Sequence, residues 1–448
     1  MTPVKFPRRR SLAVAAVASA SLLLAACGSS TSSSSTDSGS PAASGSGSAS
    51  AASLLATACI DNSNLGGDLT IPVGVNVALS GQGAYYGDVM SAAAKLAAQE
   101  IKAAGGPDFQ LTILDHKSGD AQAGVATTRQ LGQAGTRFAL YSYIAVLGSA
   151  FQGIEQYKIL SLDGGGGTQT FGQGKPYFYG TRSMPPNDSF GGIAQWIKAK
   201  QPNVKTVSII IGDTGAENTK QSIETATKAL ADVGVTVKDS EVVTYGGNDF
   251  QSAVTKINAA GTDAVISAQY GTDTGYFLKQ YRGAGGKAPV IGVDMVPDVL
   301  KIAGPQAAAG YTFGQQYFDV ANPGNDWGKH FAEAWTAAYP DKGAPDFYAA
   351  NYYRDMFTFW HVVQRVLKNG GDVTNPDDVL QAFTSDLTFP DVAGKPAAGS
   401  QCGAYSMDPK THTVTSANMA MVEVQPDGAT TKVVATFNIG GKDFTLAN

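Results

Sequence analysis

The chain has 448 residues, a formal net charge of −5, 15% charged residues and 43% hydrophobic residues. That length exceeds one ordinary domain and predicts two or three, with ample apolar side chains for their cores. No basic cluster occurs outside the N-terminus, which argues against a nucleic-acid partner, and 53 glycines point to close helix–sheet packing.

Lys5, Arg8, Arg9 and Arg10 form a basic start, and Leu12–Leu24 is an apolar run too short for a stable membrane span. Leu24-Ala25-Ala26-Cys27 then resembles the lipobox of bacterial lipoproteins. That resemblance implies a signal peptide over residues 1–26, export, and a lipid on Cys27 that anchors the chain to the outer face of the cell membrane. Gly28–Ser53 has no apolar periodicity and reads as a flexible tether, within a linker expected over 27–67. With Cys27 set aside, Cys59 and Cys402 remain. In an exported chain, two such cysteines favour a disulfide over free thiols. No Cys/His spacing supports a metal site.

From Thr70 the pattern is α/β. Ile71, Val73, Val75 and Val77 make a strand that breaks at Ser80–Gly81. A loop with Gly83, Tyr85, Tyr86 and Gly87 follows, then a helix with Met90, Ala94, Ala97 and Ile101 on one face, ending at Gly105–Gly106. A buried strand feeding a helix through such a loop puts the loop at the carboxyl edge of a parallel sheet, where open α/β folds bind small polar ligands. Phe109–Leu114 is a second strand ending at Asp115-His116, and Asp120 caps a helix through Leu131. Phe138–Tyr143 is a third strand, Phe151–Tyr157 a helix, and Ile159–Leu162 a fourth strand running into Gly164–Gly167. The alternation predicts right-handed crossovers and a parallel sheet.

Met184-Pro185-Pro186-Asn187 marks a crossing into a second lobe, where the pattern restarts. Helices are expected at Ser189–Lys200, Glu217–Val233, Asp249–Ala260 and Thr272–Arg282. Strands are expected at Val204–Ile211, Val235–Val243, Ala264–Ser267 and Pro289–Val293. Around Gly310–Phe318 the chain should return to the first lobe, with helices near Trp327–Tyr339 and Asp346–Leu367. A third crossing over Tyr405–Thr415 and strands near Ala420–Val424 and Lys432–Phe437 close the second lobe. The expected limits are 68–184 with 312–410 for one lobe, and 185–311 with 411–448 for the other.

The run VGVNVALSGQGAYYGDVMSAAAKLAAQEIKAAGG resembles the opening of the type I periplasmic solute-binding proteins, in particular the branched-chain amino acid and amide receptors of ABC transporters. The resemblance continues through Asp115, Asp163–Thr168, Asp213, Asp249–Phe250, Tyr270 and Asp294, so it covers about Gly67 to Val434. It implies two doubly wound parallel-sheet lobes joined by a multi-strand hinge, a small-molecule ligand in the cleft, and a membrane permease as partner. It implies no cofactor, and a monomer suffices. The leading ligand is a branched-chain or aromatic amino acid, or a small amide.

By the same resemblance the first lobe offers Ser80, Tyr85, Tyr86, Ser142, Tyr143, Gly166 and Thr168 to an anionic or polar end of the ligand. Tyr270 packs on the ligand, Asp294 pairs with its ammonium, and Tyr317 adds an aromatic wall. Two departures stand out. Only Ser142 supplies a hydroxyl where the family has a serine-rich run, and Asp213-Thr214-Gly215 is followed by Ala216 where the family has a covering tyrosine. The cover comes from elsewhere or is absent.

Other classes fit these residues less well. Gly81, Gly83 and Gly87 match a dinucleotide glycine pattern, but Asp115 lies 34 residues past Gly81, against about 20 for the usual ribose acid. The four histidines, His116, His330, His361 and His412, form no ligand-spaced pair, and no GxSxG, HExxH or P-loop is present. The alternatives are a sensory module of the same fold and, with no recognisable catalytic set, an exported α/β enzyme.

Overall fold

The computed structural model describes residues 46–143, 147–163 and 175–447, with side chains from Ala52 onward. Cys27, Gly166 and Thr168 lie outside the described residues. The first lobe is built on five parallel strands in the order β2-β1-β3-β4-β5: β1 Thr70–Val77, β2 Asp108–Asp115, β3 Phe138–Tyr141, β4 Leu160–Asp163 and β5 Phe178–Gly180. Central β1 buries Val73, Val75 and Val77 completely, as a strand covered on both faces must. The following helix, Ala84–Ala103, starts hard against the end of this strand. A Cβ on Gly87 would lie 1.8 Å from the Ala78 carbonyl oxygen, so only glycine fits there. Asp120 caps the next helix as its position predicts, accepting from Ala123 N–H at 2.7 Å.

The second lobe carries eight strands in the order β15-β14-β13-β10-β9-β8-β6-β7. Five are mutually parallel: β6 Thr206–Gly212, β7 Thr236–Val243, β8 Ala264–Ala268, β9 Val290–Gly292 and β10 Thr312–Gln316. β13 Met419–Val424, β14 Thr431–Asn438 and β15 Lys442–Leu446 extend the sheet antiparallel. β11 Thr388–Asp391 and β12 Gly403–Ser406 pair separately, against the long helix Phe347–Lys368. That helix is buried nearly all round, with Trp360, Phe357 and Tyr353 wholly inside. Among the described residues no helix is long and apolar enough to cross a membrane.

Three expectations change. Thr312–Gln316 does not begin the return to the first lobe. As β10 it joins the second sheet between β9 and β13, so the chain crosses back only after Gln316. Residues 411–415 stay with the first lobe: the His412 carbonyl accepts from Gly180 N–H at 2.8 Å, and its ring stacks 4.1 Å from Tyr179. Third, a helix over Ser46–Thr57 intrudes into the expected spacer. Its buried Leu54, with Ala58 and Ile60 just beyond, joins the main apolar core. Cys59 beside it is bonded to Cys402, 343 residues away.

Near the crossings lies a buried ion network. Arg354 donates to Asp355 Oδ1 at 3.0 Å and to Asp391 Oδ1 at 3.3 Å, while Thr181 Oγ1 donates to Asp355 Oδ2 at 2.7 Å. Arg354 also donates to the Thr181 carbonyl and stacks 4.0 Å over the Tyr405 ring. This network ties the end of the first sheet to the elements that flank the hinge.

Candidate functional site

The carboxyl ends of both sheets face each other, and the side chains that meet there are mostly aromatic. Tyr86, in the first turn of its helix, reaches across the lobes. Its hydroxyl donates to Asp294 Oδ2, a short contact, and accepts from Gly271 N–H at 2.9 Å. Gly271 has φ +53° and ψ −135°, and a Cβ there would stand 3.1 Å from the Gln82 carbonyl oxygen. The position needs glycine both for its conformation and for the closeness of the lobes. Tyr348, at the start of the long first-lobe helix, donates to Asp294 Oδ1 at 3.0 Å. Behind Asp294, Tyr311 donates to its backbone carbonyl at 3.0 Å.

Asp294 is therefore wholly buried, with a tyrosine hydroxyl on each carboxylate oxygen. Burial raises its pKa, while the two hydroxyls and the nearby Arg182 guanidinium pull the other way. Arg182, on the first crossing, stands 5.1 Å from the Tyr348 ring. Burial also drives the hydroxyl pKa values of Tyr86 and Tyr348 well above the ordinary phenol range, so both remain donors.

Around this centre most of the rings pack edge to face, a geometry that aromatic pairs favour, and Tyr245 and Tyr270 are tilted. Tyr86 lies 4.8 Å from Tyr348 and 5.6 Å from Tyr143. Tyr143 faces Tyr245 of the second lobe at 6.1 Å, and Tyr245 lies 6.1 Å from Tyr270. Tyr245 follows β7 and supplies the second-lobe ring that Ala216 does not. Its signal was present in the sequence: Tyr245-Gly246 after β7 repeats the pattern of Tyr270-Gly271 after β8. Tyr348, Tyr311 and Arg182 carried no such signal.

The structure thus brings Tyr86, Tyr143, Tyr270 and Asp294 together, and places other candidates differently. Ser80 donates to Asp115 Oδ2 at 2.6 Å. Asp115 also accepts from Leu79 N–H at 2.9 Å, so this pair braces the loop. Tyr85 donates to Asp346 Oδ2 at 2.8 Å, within the first lobe. Tyr317 sits on the second crossing, beside a groove of about 350 Å³ that Phe318 and Phe347 also line. Ser142 is fully buried next to His116. Gly119 N–H donates to His116 Nδ1 at 3.0 Å, so the ring proton sits on Nε2 and is donated to Ser142 Oγ at 2.9 Å. Burial pushes the His116 pKa down to about 4. Among the described residues no group of His, Cys, Asp and Glu is arranged to hold a metal.

A family model described as periplasmic binding protein matches residues 70–429. "Leu/Ile/Val-binding protein homolog 8" of Brucella abortus is 24% identical over 344 residues, covering 72% of this chain and 81% of that protein. Among solved structures, the branched-chain amino acid transporter substrate-binding protein LivJ from Streptococcus pneumoniae, in complex with isoleucine, is 21% identical with a TM-score of 0.66. It covers 83% of this chain and 99% of its own. A solute-binding protein of an R. palustris ABC transporter, in complex with 4-hydroxybenzoate, is 17% identical with a TM-score of 0.70, covering 83% and 98%. At these identities the solved structures speak for the fold. The match over 70–429 decides the family: this chain belongs to the periplasmic binding proteins. That family is one of binding proteins.

Proposed function

We propose that this chain is the extracytoplasmic solute receptor of an ABC importer, lipid-anchored through Cys27, and that it hands its ligand to a membrane permease. The ligand is a small molecule with a polar head and a flat or branched apolar body, an amino acid or amide of the branched-chain or aromatic kind. The observation that carries this reading is the convergence of tyrosine rings from both lobes on one buried carboxylate, with hydrogen bonds that exist only when the lobes are together. A ligand enclosed there shifts the open–closed equilibrium by its extra affinity for the closed form.

The test combines thermal unfolding with small-angle X-ray scattering on the chain from Ser46. The probes are L-leucine, L-phenylalanine, benzamide and benzoate. A binder at 100 times its Kd adds about 2.7 kcal/mol of stability and should leave the protein more compact. Tight binding with unchanged scattering, or no stabilisation by any probe, overturns the reading.

A further inference from the structure

The turn Asp115–Gly119 leads from β2 towards the helix Ala121–Gln133 and touches both loops that carry first-lobe tyrosines to the cleft. On one side, Ser118 Oγ donates to the Ser80 carbonyl at 2.6 Å and accepts from Gly83 N–H at 2.9 Å, which fixes the loop ahead of Tyr86. On the other side lies His116, completely buried. Its Nδ1 accepts from Gly119 N–H, so Nε2 carries the proton and donates it to Ser142 Oγ. Ser142 Oγ also hydrogen-bonds to the Tyr352 hydroxyl, which in turn donates to the Tyr141 carbonyl. A hydroxyl has one proton to give, so the chain has a single direction: His116 to Ser142 to Tyr352 to the Tyr141 carbonyl. The backbone of Ser142 is held as well, its N–H donating to the Asn76 carbonyl at 3.1 Å.

The residue that follows this anchored pair is Tyr143, and its φ is +57°. A bulky side chain seldom adopts that left-handed region, and such a conformation persists only where its surroundings impose it. Here the two preceding residues are pinned by the hydrogen-bond chain, and the His116 ring stands edge-on to the Tyr143 ring at 5.8 Å. The result is a ring that lies 5.6 Å from Tyr86 and faces Tyr245 of the second lobe at 6.1 Å, with a side-chain hydrogen bond to Tyr245. A return of Tyr143 to negative φ would swing its ring away from Tyr245.

We propose that His116 is a positioning residue for closure: through Ser142 it holds Tyr143 in the left-handed conformation that carries its ring to the second lobe. This rests on the reading that the protein closes on a small solute. His116 acts at one remove, through the backbone of the next loop. An aliphatic side chain of similar size would fill its space but strand Gly119 N–H and Ser142 Oγ, whereas glutamine keeps a donor within reach of Ser142. The same turn that fixes the loop of Tyr86 thereby fixes the loop of Tyr143, and the two rings reach the second lobe as a pair.

The experiment joins crystal structures to calorimetric titration with L-leucine, L-phenylalanine and benzoate. The variants are His116→Leu, His116→Gln, Ser142→Ala, Tyr143→Gly and the double variant His116→Leu/Tyr143→Gly. We expect Tyr143 to leave the left-handed region in His116→Leu and to keep it in His116→Gln. Affinity should fall about tenfold in His116→Leu and recover in His116→Gln. Glycine takes positive φ freely and has no ring to aim, so His116→Leu should change affinity less than about twofold in the Tyr143→Gly background. Circular dichroism checks that the variants fold, and Ser142→Ala, expected to behave as His116→Leu does, carries the test if His116→Leu does not fold. An unmoved Tyr143 in His116→Leu, or an equal loss of affinity with and without the Tyr143 ring, overturns the proposal while the receptor reading stands. If no probe binds, the receptor reading falls, and the conformation of Tyr143 in the crystal structures decides this one.

Discussion

Tyr86 of the first lobe and Asp294 of the second are joined through a single hydroxyl, which also accepts Gly271 N–H at 2.9 Å. One atom thus stitches two segments of the second lobe to the helix Ala84–Ala103 of the first. Replacing Tyr86 with Phe leaves Gly271 N–H without its acceptor and Asp294 with one tyrosine instead of two. We expect the closed form to lose about 1–3 kcal/mol, read as about 5- to 150-fold weaker apparent affinity for any ligand. Scattering of the unliganded variant should show a larger radius of gyration. An unchanged radius and affinity would remove Tyr86 from the closure mechanism.

The Cys59–Cys402 bond closes a loop of 343 residues around nearly the whole described chain. Replacing both cysteines with serine should cost about 2–5 kcal/mol and lower the melting temperature by a few degrees. Protease sensitivity should rise first near Ala58, because the short helix before it would lose its covalent hold. Equal melting of reduced and oxidised protein would contradict this.

Arg354 answers for two buried carboxylates, Asp355 and Asp391. Arg354→Met keeps much of the side-chain volume but strands both acids, an exchange expected to cost about 3–5 kcal/mol. Urea unfolding should show the loss as a lower midpoint. Changing Arg354, Asp355 and Asp391 together to apolar residues should recover part of it, since the cost lies in unpaired charge.

His116 gives a pH dependence of definite sign. Its pKa falls from the ordinary 6.5 to about 4 in the folded state through burial, so the unfolded chain binds more protons between those values. Stability therefore declines as pH falls from 6.5 towards 4 and levels off below, by at most about 3 kcal/mol from this residue. Asp188, raised by burial to about 6, acts in the opposite sense over an overlapping range. The comparison of wild type with His116→Asn at pH 7 and pH 4.5 isolates the histidine: the variant should lose less on acidification.

Much of the fold was legible because it repeats one local signal. β-branched runs such as Val207–Ile211 and Val73–Val77 sit between helices with regular apolar faces, and their order predicts the five parallel strands of each sheet. The failures have a common physical origin in long-range contacts. Thr312–Gln316 is held in the second sheet by β9 on one side and by β13, over a hundred residues later, on the other. The helix Ser46–Thr57 has a composition suited to a spacer and is docked through Leu54, Ala58 and the adjacent disulfide. At the site, Asp294 was legible as an acid at a strand end, but its tyrosine partners lie 208 and 54 residues away in the chain. A single chain carries no local mark of such pairings.

The placement of the helix Ser46–Thr57 has a mechanical consequence. Leu54 and Ala58 are packed in the core beneath the first-lobe helices, Cys59 is bonded to Cys402, and Gln364 Nε2 donates to the Asp61 carbonyl at 2.6 Å. The chain therefore enters the folded body through one lobe alone. Under the anchoring proposed above, that lobe is the stator. The second lobe, joined covalently to it only through the crossings, is the rotor, and under the same proposal its displacement is what the permease would feel.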